Sequence, residues 1–328
     1  MPPSAPKRPT TADIARSLGL SRATVGFVLN ETPGQTISAA TRGRVIAEAK
    51  RLGYRANFAA RALASGRSRI VLLVMPDWPL DHNLRANIEE ASLALDEAGY
   101  SLVTTTPHAG GTAQPLWETL NPDVIMGLAP FSREQMAGFR AAGVEHIVPD
   151  TAREDGFVLD ELSDGPALQV QHLVERGRRR LAYAGTTDPR LTDLLELRRA
   201  TARSEILLTR GVELVAEVDL STANAAESLK AILRADADGV VAYNDDVAAL
   251  LLAHALRAGI EVPGRLAIVG HDDTPLASLL FPALSSVHVD VAGLGRYFAE
   301  MALTAAEGAP VPTGRPAATT EIVARETS

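Results

Sequence analysis

Short apolar runs rich in β-branched residues recur from Ile70 onward, and they constrain the fold more than any other feature. Ile70-Val71-Leu72-Leu73-Val74 is continuous and is closed by Pro76. It reads as a strand buried on both faces of a parallel sheet. Comparable runs follow at Ser101–Thr105, Asp123–Gly127, Glu145–Val148, Leu181–Ala184, Gly239–Ala242 and Leu266–Val269. A helical stretch, Ala86 to Ala98, separates the first two and is stopped by Gly99. This alternation predicts a doubly wound α/β architecture. About 260 residues is enough chain for two such lobes.

Residues 1–69 carry no such runs and have a different charge. They hold twelve Lys/Arg against Asp13, Glu31 and Glu48, a net +9, which leaves −17 on the remainder of a chain whose total is −8. A basic head on an acidic body is the footprint of nucleic-acid binding. Thr10-Thr11-Ala12-Asp13 reads as a capping box. Behind it, Ile14, Ala15 and Leu18 repeat at helical spacing until Gly19. Ser21 caps a second short helix whose inward face is Val25, Val28 and Leu29. Two short helices across a glycine turn form a helix-turn-helix. Ser38 caps a third, running to about Leu52, in which Val45, Ile46 and Ala49 complete a small core.

The words of this head are specific. Thr11-Ala12-Asp13-Ile14-Ala15, Gly19-Leu20-Ser21-Arg22-Ala23-Thr24-Val25 and Val28-Leu29-Asn30 resemble the lactose-repressor (LacI/GalR) family of transcription regulators. Thr41-Arg42-x-Arg44-Val45, Leu52-Gly53-Tyr54-x-x-Asn57 and Ala60-x-x-Leu63-Ala64 continue the match. The resemblance implies that the second helix lies in the major groove. Arg22, Ala23 and Phe27 then face base edges: arginine can donate twice to guanine, while the other two can pack on a thymine methyl. Thr11, Ser21, Thr24 and Asn30 suit phosphate contacts, with capping as the alternative for Thr24 and Asn30. Family members usually carry Ser-Arg where this chain has Gly26-Phe27. Asn57 to Ala64 matches a hinge helix that orders on DNA beside its twin, with Leu63 wedging into the minor groove. Ala56 replaces a frequent proline.

The resemblance extends through the body. His172-Leu173-Val174-Glu175-Arg176-Gly177, Gly239 to Asp245, Val262-Pro263 to Asp273, Leu284-Ser285-Ser286-Val287 and Glu321 to Thr327 match family signatures. The Leu284–Val287 stretch corresponds to the crossing back to the first lobe. The implied fold is an N-terminal three-helix head and hinge helix, then a two-lobed, doubly wound α/β domain like the type I periplasmic binding proteins. The expected boundaries are a head at 1–56, a hinge and linker at 57–68, and an effector-binding and dimerisation domain at 69–328. Its first lobe is about 69–159 with 291–318, and its second about 160–290 with 319–328.

Open α/β sheets bind ligands beyond their strand carboxyl ends. Asp150, Asn244 and Asp272 follow expected strands and match effector-site positions; Asp246 matches another. Asn244 could equally cap the following helix. The family's cleft arginine is ambiguous between Arg198 and Arg199. Leu220 stands where sugar-binding members often have a stacking tryptophan. Three cleft carboxylates disfavour an anionic effector, so a neutral sugar or polyol is expected. Asp272 and Asp273, as neighbours on a strand, should point oppositely.

No catalytic constellation stands out, so no enzyme activity is expected. Gly-x-Ser-x-Gly, His-Glu-x-x-His and the phosphate-binding loop are missing, and the seven histidines lack ligand spacing. There is no cysteine, hence no disulfide or thiolate metal site. No cofactor and no metal are implied. No apolar run approaches the ~18 residues of a membrane span, and Met1–Thr10 is no signal peptide, so a cytoplasmic location is expected. The expected partners are a double-stranded DNA operator, a small-molecule effector and a second copy of the chain. A dimer is expected because the hinge needs a twin and no heptad tail follows the last strand. A sugar-binding module without DNA activity, or an α/β enzyme, are the rival readings. Leu63→Ala should reduce operator bending and specific affinity while leaving nonspecific binding largely intact, as read by circular-permutation gel shifts and titration against random duplex.

Overall fold

The computed structural model describes residues 9–30, 34–54, 67–108, 111–149, 164–309 and 319–328. Asn57, Leu63, Asp150 and the expected hinge helix lie outside the described residues. The chain divides into two compact units, Met1–Arg69 and Ile70–Ser328.

The first unit holds helices α1 (Thr11–Leu18), α2 (Arg22–Leu29) and α3 (Ala39–Arg51). Each start is fixed by a local bond. The Thr10 N–H and hydroxyl both donate to the Asp13 carboxylate, at 2.9 and 2.7 Å. Ser21 Oγ accepts from the Thr24 N–H and Ser38 Oγ from the Thr41 N–H. Gly19 closes α1 with a left-handed φ of 65°, which glycine adopts without strain. Ile14, Ala15, Val25, Val28, Val45 and Ala49 form the core. Ile46 is not part of it: its side chain is 54% exposed. The inward stripe of α3 is Val45, Glu48 and Ala49, and Glu48 is accommodated because Arg51 and the Ser17 hydroxyl bond its carboxylate.

The second unit contains two sheets. In the first, β1 (Ile70–Val74), β2 (Ser101–Thr105), β3 (Val124–Gly127) and β4 (His146–Val148) are all parallel, in the order β2-β1-β3-β4. Helices α4 (His82–Glu97), α5 (Leu116–Leu120) and α6 (Arg133–Ala141) connect them. Helix α4 begins about a turn before the expected Ala86, because Asp81 caps it through the Leu84 N–H at 2.7 Å. The second sheet is built from β5 (Arg180–Thr186), β6 (Glu213–Leu220), β7 (Gly239–Ala242), β8 (Ala267–His271), β9 (Ser285–Val289) and β10 (Thr320–Val323), in the order β10-β9-β8-β7-β5-β6. Only β10, paired with β9, is antiparallel. Its helices are α7 (Asp164–Glu175), α8 (Thr192–Leu208), α9 (Ala225–Arg234), α10 (Asp245–Arg257) and α11 (Pro275–Leu279).

The chain between the sheets differs from the expectation in one place. Leu284–Val287 is not a crossover: Ser285–Val289 is β9, inside the second sheet, and the chain leaves that sheet only after Val289. The crossing element is α12 (Val291–Ala306), which returns to pack on α4, β3 and β4. Phe298, Ala299, Met301 and Ala302 join the core of the first lobe beside Val71, Leu73 and Leu95.

The α4–α12 contact is close enough to require glycine. A Cβ on Gly295 would sit 2.5 Å from the Asn87 carbonyl oxygen and 2.8 Å from Glu90 Cβ. Ordinarily Gly→Ala inside a helix stabilises by up to ~1 kcal/mol. Here the obstructing atom is backbone, and overpacking costs about 1–3 kcal/mol, so the clash should win. Gly295→Ala is expected to lower the melting temperature of the body by several degrees, measured calorimetrically.

Candidate functional site

Arg198 lies at the centre of the interlobe cleft. It projects from the first half of α8 and is only 6% exposed. Its Nη2 donates to Asp272 Oδ1 at 3.0 Å and its Nη1 to the Tyr243 carbonyl at 2.7 Å. The guanidinium also covers the Tyr243 ring, 4.9 Å from its centroid. Asp272 follows β8, with a positive φ of 99°, and Asp273 follows with 43°. Neither belongs to the strand, which ends at His271. They do diverge, but through this left-handed turn rather than through strand alternation: Asp273 pairs with Arg325 at 2.7 Å and with His288 at 3.3 Å.

Burial opposes ionisation of Asp272, yet the Arg198 charge and the His271 ring more than offset it. The carboxyl is held well below the usual carboxylate range. His271 Nδ1 lies 2.6 Å from Asp272 Oδ1. Burial, aided by the Arg198 charge, pushes the imidazole pKa down, so the ring is neutral and must donate from Nδ1 to the carboxylate. Its Nε2 faces Gly165, where the ring leaves no room for a Cβ. The first lobe reaches across to the same residue: Asn83 Nδ2 donates to the Asp272 carbonyl at 2.8 Å.

Two adjoining spaces open from here. A cavity of about 100 Å³ is lined by Trp78, Asp81, Asn83, Leu194, Arg198 and Asp272, among others. A second, of about 250 Å³, touches Asp81, His82, Asn244, Asp245, Asp246 and Asp272. Asp81 borders both. Burial pushes its carboxyl up, the Leu84 N–H opposes this, and Asp272 adds to the rise.

The structure separates the two candidate arginines. Arg199 turns away to Asp219 and to Glu196 and borders neither space. Asp246 is exposed at the cleft rim, in the first turn of α10. Asn244 is the N-cap of α10, its Oδ1 accepting from the Val247 N–H at 3.0 Å, while it also borders the second space. Leu220 is buried at the end of β6 and lines neither.

In the head, Ser21, Arg22, Ala23 and Asn30 are exposed, and Thr11, Thr24 and Phe27 half-buried. The opposite side of α2, Val25 and Val28, is sealed in the core. The amino-terminal end of α2 is therefore free to meet a groove. The Ser21 hydroxyl is already used as the cap and bonds Thr24 Oγ1 at 2.8 Å.

A model of the lacI family of bacterial regulatory proteins matches residues 10–57, and one of a periplasmic binding protein-like domain matches 170–328. The chain belongs to the lacI family. The HTH-type transcriptional regulator GntR of Pseudomonas aeruginosa is 29% identical over 98% of this chain and 96% of its own length. The ribose operon repressor of Bacillus subtilis is 29% identical over 90% of each. Among solved structures, a lacI-family regulator from Silicibacter pomeroyi aligns with a TM-score of 0.73 at 25% identity, covering 97% of this chain and 99% of that one. The lac repressor dimer bound to operator and the anti-inducer ONPF aligns at 0.76 and 22% identity, covering 98% and 99%. At that identity it shares the fold. As a lacI-family member, the chain is a DNA-binding transcription regulator and not an enzyme. No described helix is long and apolar enough to cross a membrane.

Apart from Asp150, which lies outside the described residues, sequence reasoning named no residue of the first lobe at the cleft. Trp78, Asp81 and Asn83 were legible only as the segment after β1, which is where an open sheet presents its ligand site. Leu294 and Phe298 line the same cavity from α12, about 210 residues later, and no local pattern connects them to it.

Asp245 is the buried carboxylate beside the site. Its Oδ2 accepts from the Thr274 N–H at 2.7 Å and from its hydroxyl at 2.9 Å; its Oδ1 accepts from Ser286 Oγ at 2.5 Å. Burial pushes its pKa up to about 7. A raised folded-state pKa contributes stability that is present below the unfolded value and lost as pH rises through the folded one. Asp245→Asn should therefore match the parent's melting temperature only near pH 4, gain on it as pH rises towards 7, and exceed it by a few degrees at pH 8, measured by paired thermal scans.

Proposed function

We propose that this chain is a repressor that binds a pseudo-palindromic operator as a homodimer in the cytoplasm and is controlled by a neutral sugar or polyol. On this reading residues 1–56 form the head, 57–68 the hinge and linker, and 69–328 the effector-binding and dimerisation domain. Arg22, Ala23 and Phe27 read bases, and Thr11, Ser21, Thr24, Asn30 and Asn57 contact the backbone. Leu63 wedges into the minor groove. Asp150, Arg198, Asn244, Asp246 and Asp272 serve the effector. Arg199 is assigned to holding Asp219 instead.

The observation that carries this reading is the Asp272 junction. Its side chain holds Arg198 within the second lobe while its carbonyl receives Asn83 of the first. A ligand seated there must act on both lobes. A ligand shifts operator affinity only by binding the two lobe arrangements unequally, and this junction provides the means. The ribose operon repressor and the CelR–cellobiose complex are relatives whose names carry sugars, which supports the effector class.

The test is selection of duplexes from a random library by the full-length protein, followed by titration with sugars. A two-fold symmetric site whose affinity changes with a sugar is expected. Binding no tighter than to bulk DNA would sink the proposal. Arg22→Ala should cost about 1–3 kcal/mol and relax the preference at one base pair per half-site. Asp272→Ala is a poor probe of the effector response, because it leaves a guanidinium buried without its partner, at about 3–5 kcal/mol. Asp246→Asn, on the exposed rim, should blunt the effector response with the melting temperature unchanged.

A further inference from the structure

Arg22, Ala23, Gly26 and Phe27 lie on the side of α2 opposite the buried Val25 and Val28. Arg22 and Ala23 are exposed, Gly26 and Phe27 half-buried. Of these four side chains only one forms hydrogen bonds, and the Arg22 guanidinium offers five donors and no acceptor. The nearby hydroxyls engage each other: Ser21 Oγ accepts from the Thr24 N–H at 3.0 Å and lies 2.8 Å from Thr24 Oγ1. The eight residues of α2, Arg-Ala-Thr-Val-Gly-Phe-Val-Leu, include no carboxylate and no amide, and Asn30 lies at the far end as the C-cap.

The packing of the head does not explain Gly26. Its backbone is ordinary helix, outside the left-handed region that favours glycine. A Cβ there would meet nothing within 4 Å. Glycine weakens a helix interior, and here no described neighbour needs the space. What the bare position provides is a notch on the outer surface of α2, bordered by Arg22 one turn earlier, by Ala23 and by Phe27.

In the major groove guanine shows two acceptors, cytosine and adenine each show an amine donor, and thymine shows a 5-methyl group. A donor-only arginine selects guanine. No acceptor among these four residues answers the amines, so the other feature this surface can read is the methyl. We propose that the head reads a pyrimidine 5-methyl group, seated in the Gly26 notch beside the Arg22 guanine, and that operator affinity therefore responds to methylation of cytosine at C5. The inference rests on the reading of α2 as the major-groove helix. 5-Methylcytosine carries its methyl at the same ring position as thymine, so the two present the same apolar contact and unmodified cytosine presents none. Ala23 and Phe27 flank the notch, so the methyl leaves water for carbon.

The test uses the half-site that the full-length protein selects from a random library. The Arg22 guanine is the base pair at which Arg22→Ala relaxes the preference. Fluorescence anisotropy at one fixed salt concentration compares duplexes in which the thymine next to that guanine is kept, or is replaced in both half-sites by uracil, cytosine or 5-methylcytosine. Uracil should bind about fourfold less tightly per half-site, the equivalent of ~0.8 kcal/mol for one buried methyl group. 5-Methylcytosine should bind more tightly than cytosine by a similar factor. Gly26→Ala fills the notch, so it should bring the thymine-to-uracil ratio towards one without lowering the melting temperature. Equal binding of thymine and uracil, equal binding of cytosine and 5-methylcytosine, or a ratio that Gly26→Ala leaves unchanged overturns the proposal. So does a selected half-site with no thymine next to the Arg22 guanine on either strand. Each of these outcomes leaves the operator reading standing. Failure to select any duplex over bulk DNA, or an Arg22→Ala protein with its preference intact, would overturn the proposal together with the placement of α2 in the groove.

Discussion

A guanidinium sealed from water must be compensated where it lies, and the cleft is arranged around this need. Arg198 cannot lose its charge, and an isolated buried charge costs several kcal/mol. Compensation comes from three directions: the Asp272 carboxylate, the Tyr243 carbonyl and the face of the Tyr243 ring. Asp272 can reach it only because the chain leaves β8 through two residues at positive φ. That turn is held in its own right. Asp245 receives the Thr274 N–H on one side and the Ser286 hydroxyl on the other, tying the turn to α10 and β9. His271 supports Asp272 from beneath, and the bare Gly165 makes room for the ring.

The same residue closes the distance to the other lobe. The Asp272 backbone accepts from Asn83, whose neighbour Asp81 caps α4. Helix α4 is clamped along its length to α12, with Gly295 permitting the approach. A displacement of the cleft turn thus bears on the helix pair that organises the first lobe. Two-state behaviour in packed cores favours discrete shifts over continuous deformation. The carboxylate, its arginine and the interlobe amide therefore form one coupled unit.

Much of the fold was legible from short-range patterns. The apolar runs at Ile70–Val74 and Gly239–Ala242 coincide with β1 and β7, because a strand buried on both faces tolerates no polar position. In the head, Thr10, Ser21 and Ser38 marked helix starts, since a cap is a contact between residues three apart. Ile46 was misplaced because three helical neighbours compete for an inward face, and the helix crossing selects among them. β6 was not anticipated: its side chains are mostly half-buried or exposed, so Glu213–Leu220 lacks the continuous apolar run of a central strand. It lies at one edge of the sheet, with β10 at the other.

The sequence by itself determined the head-and-body division, the alternation of strands and helices, and the family to which those motifs belong. Each is carried by spacing within a few residues or by an unbroken motif. It also marked Asp272 and Asn244 as residues at strand ends. Tertiary structure alone decided between Arg198 and Arg199, because both lie on the same turn of α8 and only the position of Asp219 and Asp272 distinguishes their directions. It likewise decided that Trp78, Leu194 and Phe298, far apart in the chain, share one cavity. Contacts of that kind depend on how two sheets and their helices are placed in space, and no local periodicity encodes that placement.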